Sequence, residues 1–360
     1  MLSVVVGAAA GLLGKKRAAP APPPPPPELL NEILAYGAAA LPYLYYFLLG
    51  WSAITLLTYL VPNLLANIRG PVDLRKRYGA GWALVTGASS GIGKAIAEAL
   101  AAQGFSVVLV ALEDELLHAT FAELRERFPA VEFRLVGVDL TRADGAYVET
   151  IDAATRDLHV PILFLNAGFM VTGFFHDVPI AKHMANLQCN AVAGVRIAHH
   201  FLPKLYAKRA PGLIVFTSSS AAYLPSPFTS LYSATKAFTS RFASSLAAEA
   251  GPQGVDVMAV HPSPVRSNFL KGTTSFDAIN SFYKMSIGPE AVPPQILRKV
   301  GRMQVLADLG VVSVMMRLVT KLVDDNFFAA LFAALATTMP DYKRLAGKAG
   351  MSTTSLRRWI

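Results

Sequence analysis

The stretch Gly81-Trp-Ala-Leu-Val-Thr-Gly-Ala-Ser-Ser-Gly-Ile-Gly93 constrains the fold more than any other part of the chain. It reads as a strand, a glycine-rich turn and a helix over 92–103. Gly87, Gly91 and Gly93 stand in T-G-x-x-x-G-x-G spacing, with Ser89, Ser90 and Ile92 between them. Glycines let the backbone turn tightly and approach a pyrophosphate, whose charge then sits at the helix N-terminus. A glycine-rich turn without a ligand is common, but here strand and helix flank the loop as that mechanism requires.

Further strands are expected over 105–111, 131–138, 161–165, 213–217 and 255–260, with helices between them. The third ends in Asp139-Leu140, the fourth in Asn166-Ala167-Gly168, and the sixth runs into His261-Pro262-Ser-Pro-Val265-Arg-Ser267. Strands alternating with helices make a parallel, doubly wound sheet. A helix over 180–202 carries Asn190, and 302–306 reads as a seventh strand. Glu113, Asp114 and Glu115 open the helix after the second strand, either capping it or facing a ribose hydroxyl.

Ser219 ends the fifth strand, and a Pro-rich turn leads to Tyr232-Ser-Ala-Thr-Lys236. Residues four apart share a helix face, so the phenol and the ammonium can meet in one site. A neighbouring cation favours the phenolate and is expected to lower the phenol pKa, which suits proton transfer near neutral pH. Alone, this spacing is more often a surface lysine one turn after a half-buried tyrosine.

The chain of 360 residues is 53% hydrophobic and carries a net charge of +9. Its mean hydropathy is +0.41. That pairing points to membrane contact and to anionic headgroups rather than nucleic acid, since the basic residues are scattered. One cysteine, Cys189, excludes an internal disulfide and a Cys-based zinc site. The seven histidines show no metal-ligand spacing, so no metal is expected.

Residues 1–14 are apolar and Lys15-Lys16-Arg17 follows them, the reverse of a signal peptide. Pro22 to Pro27 reads as a stiff polyproline spacer. No charged residue lies between Glu32 and Arg69, and 41–61 is long enough to cross the roughly 30 Å hydrocarbon layer. Pro42 and Pro62 bracket it, leaving a re-entrant hairpin as the alternative. Arg69, Arg75, Lys76 and Arg77 follow closely, which puts the bulk of the chain on the cytosolic side. Near the other end, 311–336 is strongly apolar and reads either as a core helix pair or as a lid lying on a membrane. Lys343, Arg344, Lys348, Arg357 and Arg358 make its tail basic, to touch anionic lipid or as a solvated end. The divisions expected are 1–28, a membrane-anchoring helix over 29–69, a catalytic domain over 78–269, and a substrate lid or helical region over 270–360.

From about Tyr78 to Phe269 the chain resembles the short-chain dehydrogenase/reductases. The resemblance rests on Thr86-Gly87-x-x-x-Gly91-x-Gly93, Asn166-Ala167-Gly168, Asn190, Ser219, Tyr232-x-x-x-Lys236 and the Pro262 segment, in order and spacing. Within that family it looks like the membrane-bound 3-oxoacyl-CoA reductases and 17β-hydroxysteroid dehydrogenases. The resemblance implies a Rossmann-type fold and a catalytic set of Asn190, Ser219, Tyr232 and Lys236. It implies that Tyr232 gives a proton to a carbonyl, Lys236 tunes Tyr232 and holds the nicotinamide ribose, Ser219 bonds the substrate oxygen, and Asn190 holds a water. The cofactor contacts implied are Gly87, Ser89, Ser90, Gly91, Ile92, Gly93, Leu112, Asp139, Leu140, Asn166, Ala167, Gly168, Tyr232, Lys236, Pro262, Val265 and Ser267.

Three departures stand out. Leu165 replaces a first Asn, Ser263 replaces the Gly after Pro262, and Leu112 stands where NADP-users carry Arg, with no cation at Ser90. The cofactor expected is NADP(H), with NAD(H) as the alternative. The function expected is a membrane-anchored reductase of a ketone on a lipid, a 3-oxoacyl thioester or a steroid. A non-catalytic nucleotide-binding scaffold and a lumen-facing retinoid or steroid reductase are the alternatives. The partners implied are a lipid-type substrate, a membrane of the endoplasmic reticulum and, in a homodimer, a second copy, with no nucleic acid.

Overall fold

A computed structural model describes residues 26–350 apart from 271, 272, 274 and 275. The apolar run 1–14, the Lys15–Arg17 cluster, the proline run up to Pro25, and Arg357 and Arg358 lie outside the described residues. The chain divides into two compact units, one reaching to Val61 and the other starting at Pro62.

Helix α1 is continuous from Pro27 to Ile68. Its most apolar window has a mean hydropathy of 1.6 and is 6% buried, so it is long and apolar enough to cross a membrane. From Pro62 onward, α2 (Leu74–Tyr78) leads into the sheet.

The strands are β1 (Trp82–Thr86), β2 (Ser106–Ala111), β3 (Phe133–Gly137), β4 (Ile162–Leu165), β5 (Gly212–Thr217), β6 (Val255–Pro262) and β7 (Leu306–Leu309). All pair in parallel, in the order β3-β2-β1-β4-β5-β6-β7. They read as continuous Val/Ile/Leu-rich runs because helices cover both faces. Successive side chains point to opposite faces, which divides the core in two. Val85, Leu109, Phe164 and Val215 pack on one side with Ile96, Leu100 and Ile296. Leu84, Val108, Leu163 and Ile214 pack on the other with Ile151, Ile197 and Phe201. The strand order reverses between β1 and β4, and the crevice at their carboxyl ends is where such sheets bind ligands.

Helix α3 (Gly91–Ala102) follows β1 and α4 (Glu115–Arg127) follows β2. Asp114 caps α4 by accepting from Leu117 N at 2.8 Å, which fulfils the capping reading of that acidic run. Helix α5 (Tyr147–Thr155) precedes β4. The helix expected over 180–202 is in three parts: α6 (Ile180–Leu187), a π turn at Gln188–Val192, and α7 (Ala193–Ala207), which continues through Pro203. Helix α8 (Ser230–Ala250) carries Tyr232 and Lys236.

The seventh strand forms at Leu306–Leu309 rather than over 302–306. Ala307 and Leu309 are fully buried, whereas Arg302 reaches back to the carbonyls of Ala66 and Gly70, each at 2.9 Å. Helices α9 (Asp277–Tyr283) and α10 (Val292–Leu297) come before β7. After it come α11 (Val311–Leu322), α12 (Asp325–Leu335) and α13 (Pro340–Lys348). In α11 only Ser313 is buried, and in α12 nothing is, so this pair is not part of the core.

Candidate active site

The glycine turn closes tightly. Gly87 and Gly91 have φ of +66° and +56°, a region that glycine enters without strain. A methyl group at Gly93 would overlap the Gly87 carbonyl oxygen, so helix and turn can pack only without a side chain there. Ser90 is extended and makes no side-chain cap, which leaves the first N–H groups of α3 facing the crevice. Thr86 fastens β1 to β4: its hydroxyl accepts from Asn166 N at 2.9 Å and Ala167 N at 3.0 Å. Leu165 is simply buried in β4.

A cleft of about 570 Å³ opens at the carboxyl ends of the strands. Gly87, Ser89, Ser90, Gly91, Ile92, Asn166, Ala167, Gly168, Pro262, Val265 and Ser267 line it, as do Ser219, Tyr232 and Lys236. The carbon skeletons of Phe169, Met170, Leu224, Phe228, Phe269, Met316 and Phe332 make much of its remaining wall. Gly93, packed against the Gly87 carbonyl, and Leu112, Asp139 and Leu140 are not brought to this lining. Leu112 is 57% exposed, Asp139 caps the next turn by accepting from Thr141 N at 2.8 Å, and Leu140 is buried.

Tyr232 and Lys236 are both buried on α8, one turn apart. The Lys236 ammonium donates to the Thr217 carbonyl at 2.8 Å and stands 5.7 Å from the Tyr232 ring centre. Burial pushes the Tyr232 phenol up to about 12, opposed by its hydrogen bond with Ser219. Burial likewise pulls the Lys236 ammonium down to about 8. The expected lowering of the phenol by the lysine is therefore corrected. Desolvation disfavours both charged forms. Ser219 is extended, and its hydroxyl accepts from Ala221 N at 3.1 Å.

Asn190 sits in the π turn, a distortion often found at functional sites. Its amide clamps the loop after β4: Phe169 N donates to Oδ1 at 2.9 Å, and Nδ2 donates to the Phe169 carbonyl at 2.9 Å. Asn186 supports the same carbonyl at 2.6 Å and carried no signal in the sequence. The Ser263 hydroxyl accepts from Ser313 N at 3.1 Å, so the departure from Gly ties the cofactor-side turn to the start of α11.

The cradle fits a dinucleotide on its own geometry: turn glycines that admit no side chain, bare helix N–H groups, and a lysine and two hydroxyls at the far end. The model of the short chain dehydrogenase family matches residues 81–277. A very-long-chain 3-oxoacyl-CoA reductase of Caenorhabditis elegans is 32% identical over 232 residues, which is 62% of this chain and 73% of that protein. A 7β-hydroxysteroid dehydrogenase of Collinsella aerofaciens is 31% identical over 235 residues, 64% of this chain and 86% of the relative. Among solved structures, one of a 7β-hydroxysteroid dehydrogenase superposes with a TM-score of 0.63 at 27% identity, over 72% of this chain and 99% of the other. A short-chain dehydrogenase from Sphingobium yanoikuyae in complex with NADPH gives 0.56 at 28% identity, over 67% and 92%. The chain belongs to the short-chain dehydrogenases, NAD(P)(H)-dependent oxidoreductases with a Rossmann-type fold.

Proposed function

We propose that this chain is a membrane-anchored enzyme that interconverts a ketone and a secondary alcohol on a lipid-type substrate, a 3-oxoacyl thioester or a steroid. One observation carries the reading: Ser219, Tyr232 and Lys236 come together in a cleft whose lining is otherwise rich in Phe, Met and Leu side chains. Such a wall takes an apolar body and leaves the carbonyl to the polar end.

The Gly87–Gly93 loop would hold the pyrophosphate, and Asn166–Gly168 with Pro262, Val265 and Ser267 would flank the nicotinamide side. When bound, the nicotinamide supplies or accepts the hydride. Tyr232 passes its hydroxyl proton to the carbonyl oxygen as that oxygen gains charge, and takes it back in the oxidation. Ser219 donates a second hydrogen bond to the same oxygen. Lys236, as a cation, offsets the charge left on the phenolate. Asn190 fixes the Gly168–Phe169 backbone that forms the floor of the site.

At the β2 corner, the Glu113 side chain lies against Gly137, and Leu112 brings no cation. That corner favours a free ribose hydroxyl and hence NAD(H), against the NADP(H) that the resemblance prefers. Helix α1 would anchor the enzyme in the endoplasmic reticulum, with the catalytic domain over 78–269 facing the cytosol. The region after 270 would form the wall over the substrate, with Met316 and Phe332 in it.

The test is turnover by the purified full chain in detergent, as wild type and Tyr232→Phe. It uses NADPH and NADH against 3-oxoacyl-CoAs and steroid ketones. Turnover lost in the variant supports the reading. Cofactor binding without turnover of any ketone in the wild type overturns it.

A further inference from the structure

Behind the cleft, a buried carboxylate gathers hydrogen bonds from separate stretches of chain. Asp308 on β7 has a side chain that is 0% exposed. It accepts from the Tyr223 hydroxyl at 2.7 Å, the Ser313 hydroxyl at 2.9 Å and Arg317 Nη1 at 3.3 Å. Lys299 Nζ donates to its backbone carbonyl at 2.6 Å. A carboxylate at that depth is stable only with such partners, and Arg317 supplies the countercharge.

The partners lead to the reacting groups. Tyr223 ends the short turn Ser220–Ala222 that Ser219 caps. Its ring lies 4.8 Å from that of His261, whose Nε2 pairs with the Ser240 hydroxyl at 2.8 Å. The hydroxyls of Ser240 and Ser218 reach the Lys236 carbonyl at 2.9 Å and 2.8 Å. Tyr223 thus ties the turn that presents Ser219 to Asp308, and its ring contact with His261 adjoins the helical turn that presents Lys236. Arg317 is next in sequence to Met316, a wall residue of the cleft.

We propose that Asp308 is a positioning residue for the reaction. Through Tyr223 it sets the turn that carries Ser219, and through Arg317 it holds α11, with Met316, against the same cleft. This rests on the ketone-reductase reading of the site.

The test compares wild type, Tyr223→Phe and Asp308→Asn as full chains in detergent, by steady-state kinetics and by amide hydrogen exchange across 218–223. Tyr223→Phe removes one oxygen and keeps the ring over His261, so it carries the test if Asp308→Asn does not fold. The expected result is a fall in kcat of about tenfold with the nicotinamide KM unchanged, since small misplacements of reacting groups act on the chemical step. Exchange at Ala221, Ala222 and Tyr223 should speed up, while exchange in β1 and β2 stays at the wild-type rate. Unchanged exchange across 218–223 together with unchanged kcat overturns the proposal. If the wild type turns over no ketone, the reductase reading fails and the positioning role falls with it; if the wild type is active and the variants match it in kcat and in exchange, the positioning role alone is overturned.

Discussion

The ammonium of Lys236 stands 5.7 Å from the centre of the Tyr232 ring, and its hydrogen bond goes to the Thr217 carbonyl rather than to the phenol. Burial holds the phenol near 12 and the ammonium near 8. In the proposed mechanism, ketone reduction needs the proton on Tyr232 and the charge on Lys236. The lysine is a cation below its pKa and neutral above it, and the tyrosine keeps its proton throughout that range. The rate of reduction should therefore be flat below pH about 8 and fall about tenfold per unit above it. A kcat profile with saturating NADH checks this, and a fall on the acid side of neutrality would contradict it.

Tyr232→Phe keeps the buried ring beside Phe269, 5.6 Å away, and removes only the hydroxyl that is the proposed proton donor. The expected loss in kcat is about 10²- to 10⁴-fold. Affinity for NADH, followed by its fluorescence, should stay within about twofold, because no bulk is removed from the cradle.

Asn190 satisfies the Phe169 N–H and supports its carbonyl. Asn190→Ala leaves that half-buried N–H unpaired and should cost about 1–3 kcal/mol of stability. Asn190→Asp keeps the acceptor, and Asn186 still serves the Phe169 carbonyl, so it should melt closer to wild type. Thermal unfolding of the three proteins gives the order.

Much of this fold is legible before any coordinates, because parallel strands buried on both faces must be apolar throughout and their glycine turns are chemically specific. The positions of Gly87, Gly91, Ser219, Tyr232 and Lys236 around one cleft follow from that frame. What is not legible has a common cause. The π turn at Gln188–Val192, the clamp by Asn186, and the cluster of Asp308, Tyr223, His261 and Arg317 all depend on contacts between distant segments. No local spacing marks them. The balance of the Tyr232 and Lys236 protons also escapes the motif, since a four-residue spacing gives proximity but not depth of burial. Strand β7 was misplaced by a few residues because Arg302 and Met303 sit beside an apolar run, and only packing shows where burial begins.

Leu112, just after β2, is exposed, and the neighbouring Glu113 carboxylate lies against Gly137 while pairing with His118 Nε2 at 3.2 Å. A 2′-phosphate at this corner would meet the Glu113 carboxylate, and Leu112 offers it no guanidinium. Leu112→Arg supplies a planar donor set suited to phosphate. The ratio of kcat/KM for NADPH over NADH should rise by about ten- to a hundredfold, the scale of one charge-assisted contact. Glu113→Gln should raise it less, because it removes repulsion without adding attraction. The measurement is initial rates with both cofactors on one ketone. If the ratio does not move in either variant, the adenosine end does not lie at the β2 corner, and the dinucleotide path drawn from the Gly87–Gly93 loop must be redrawn.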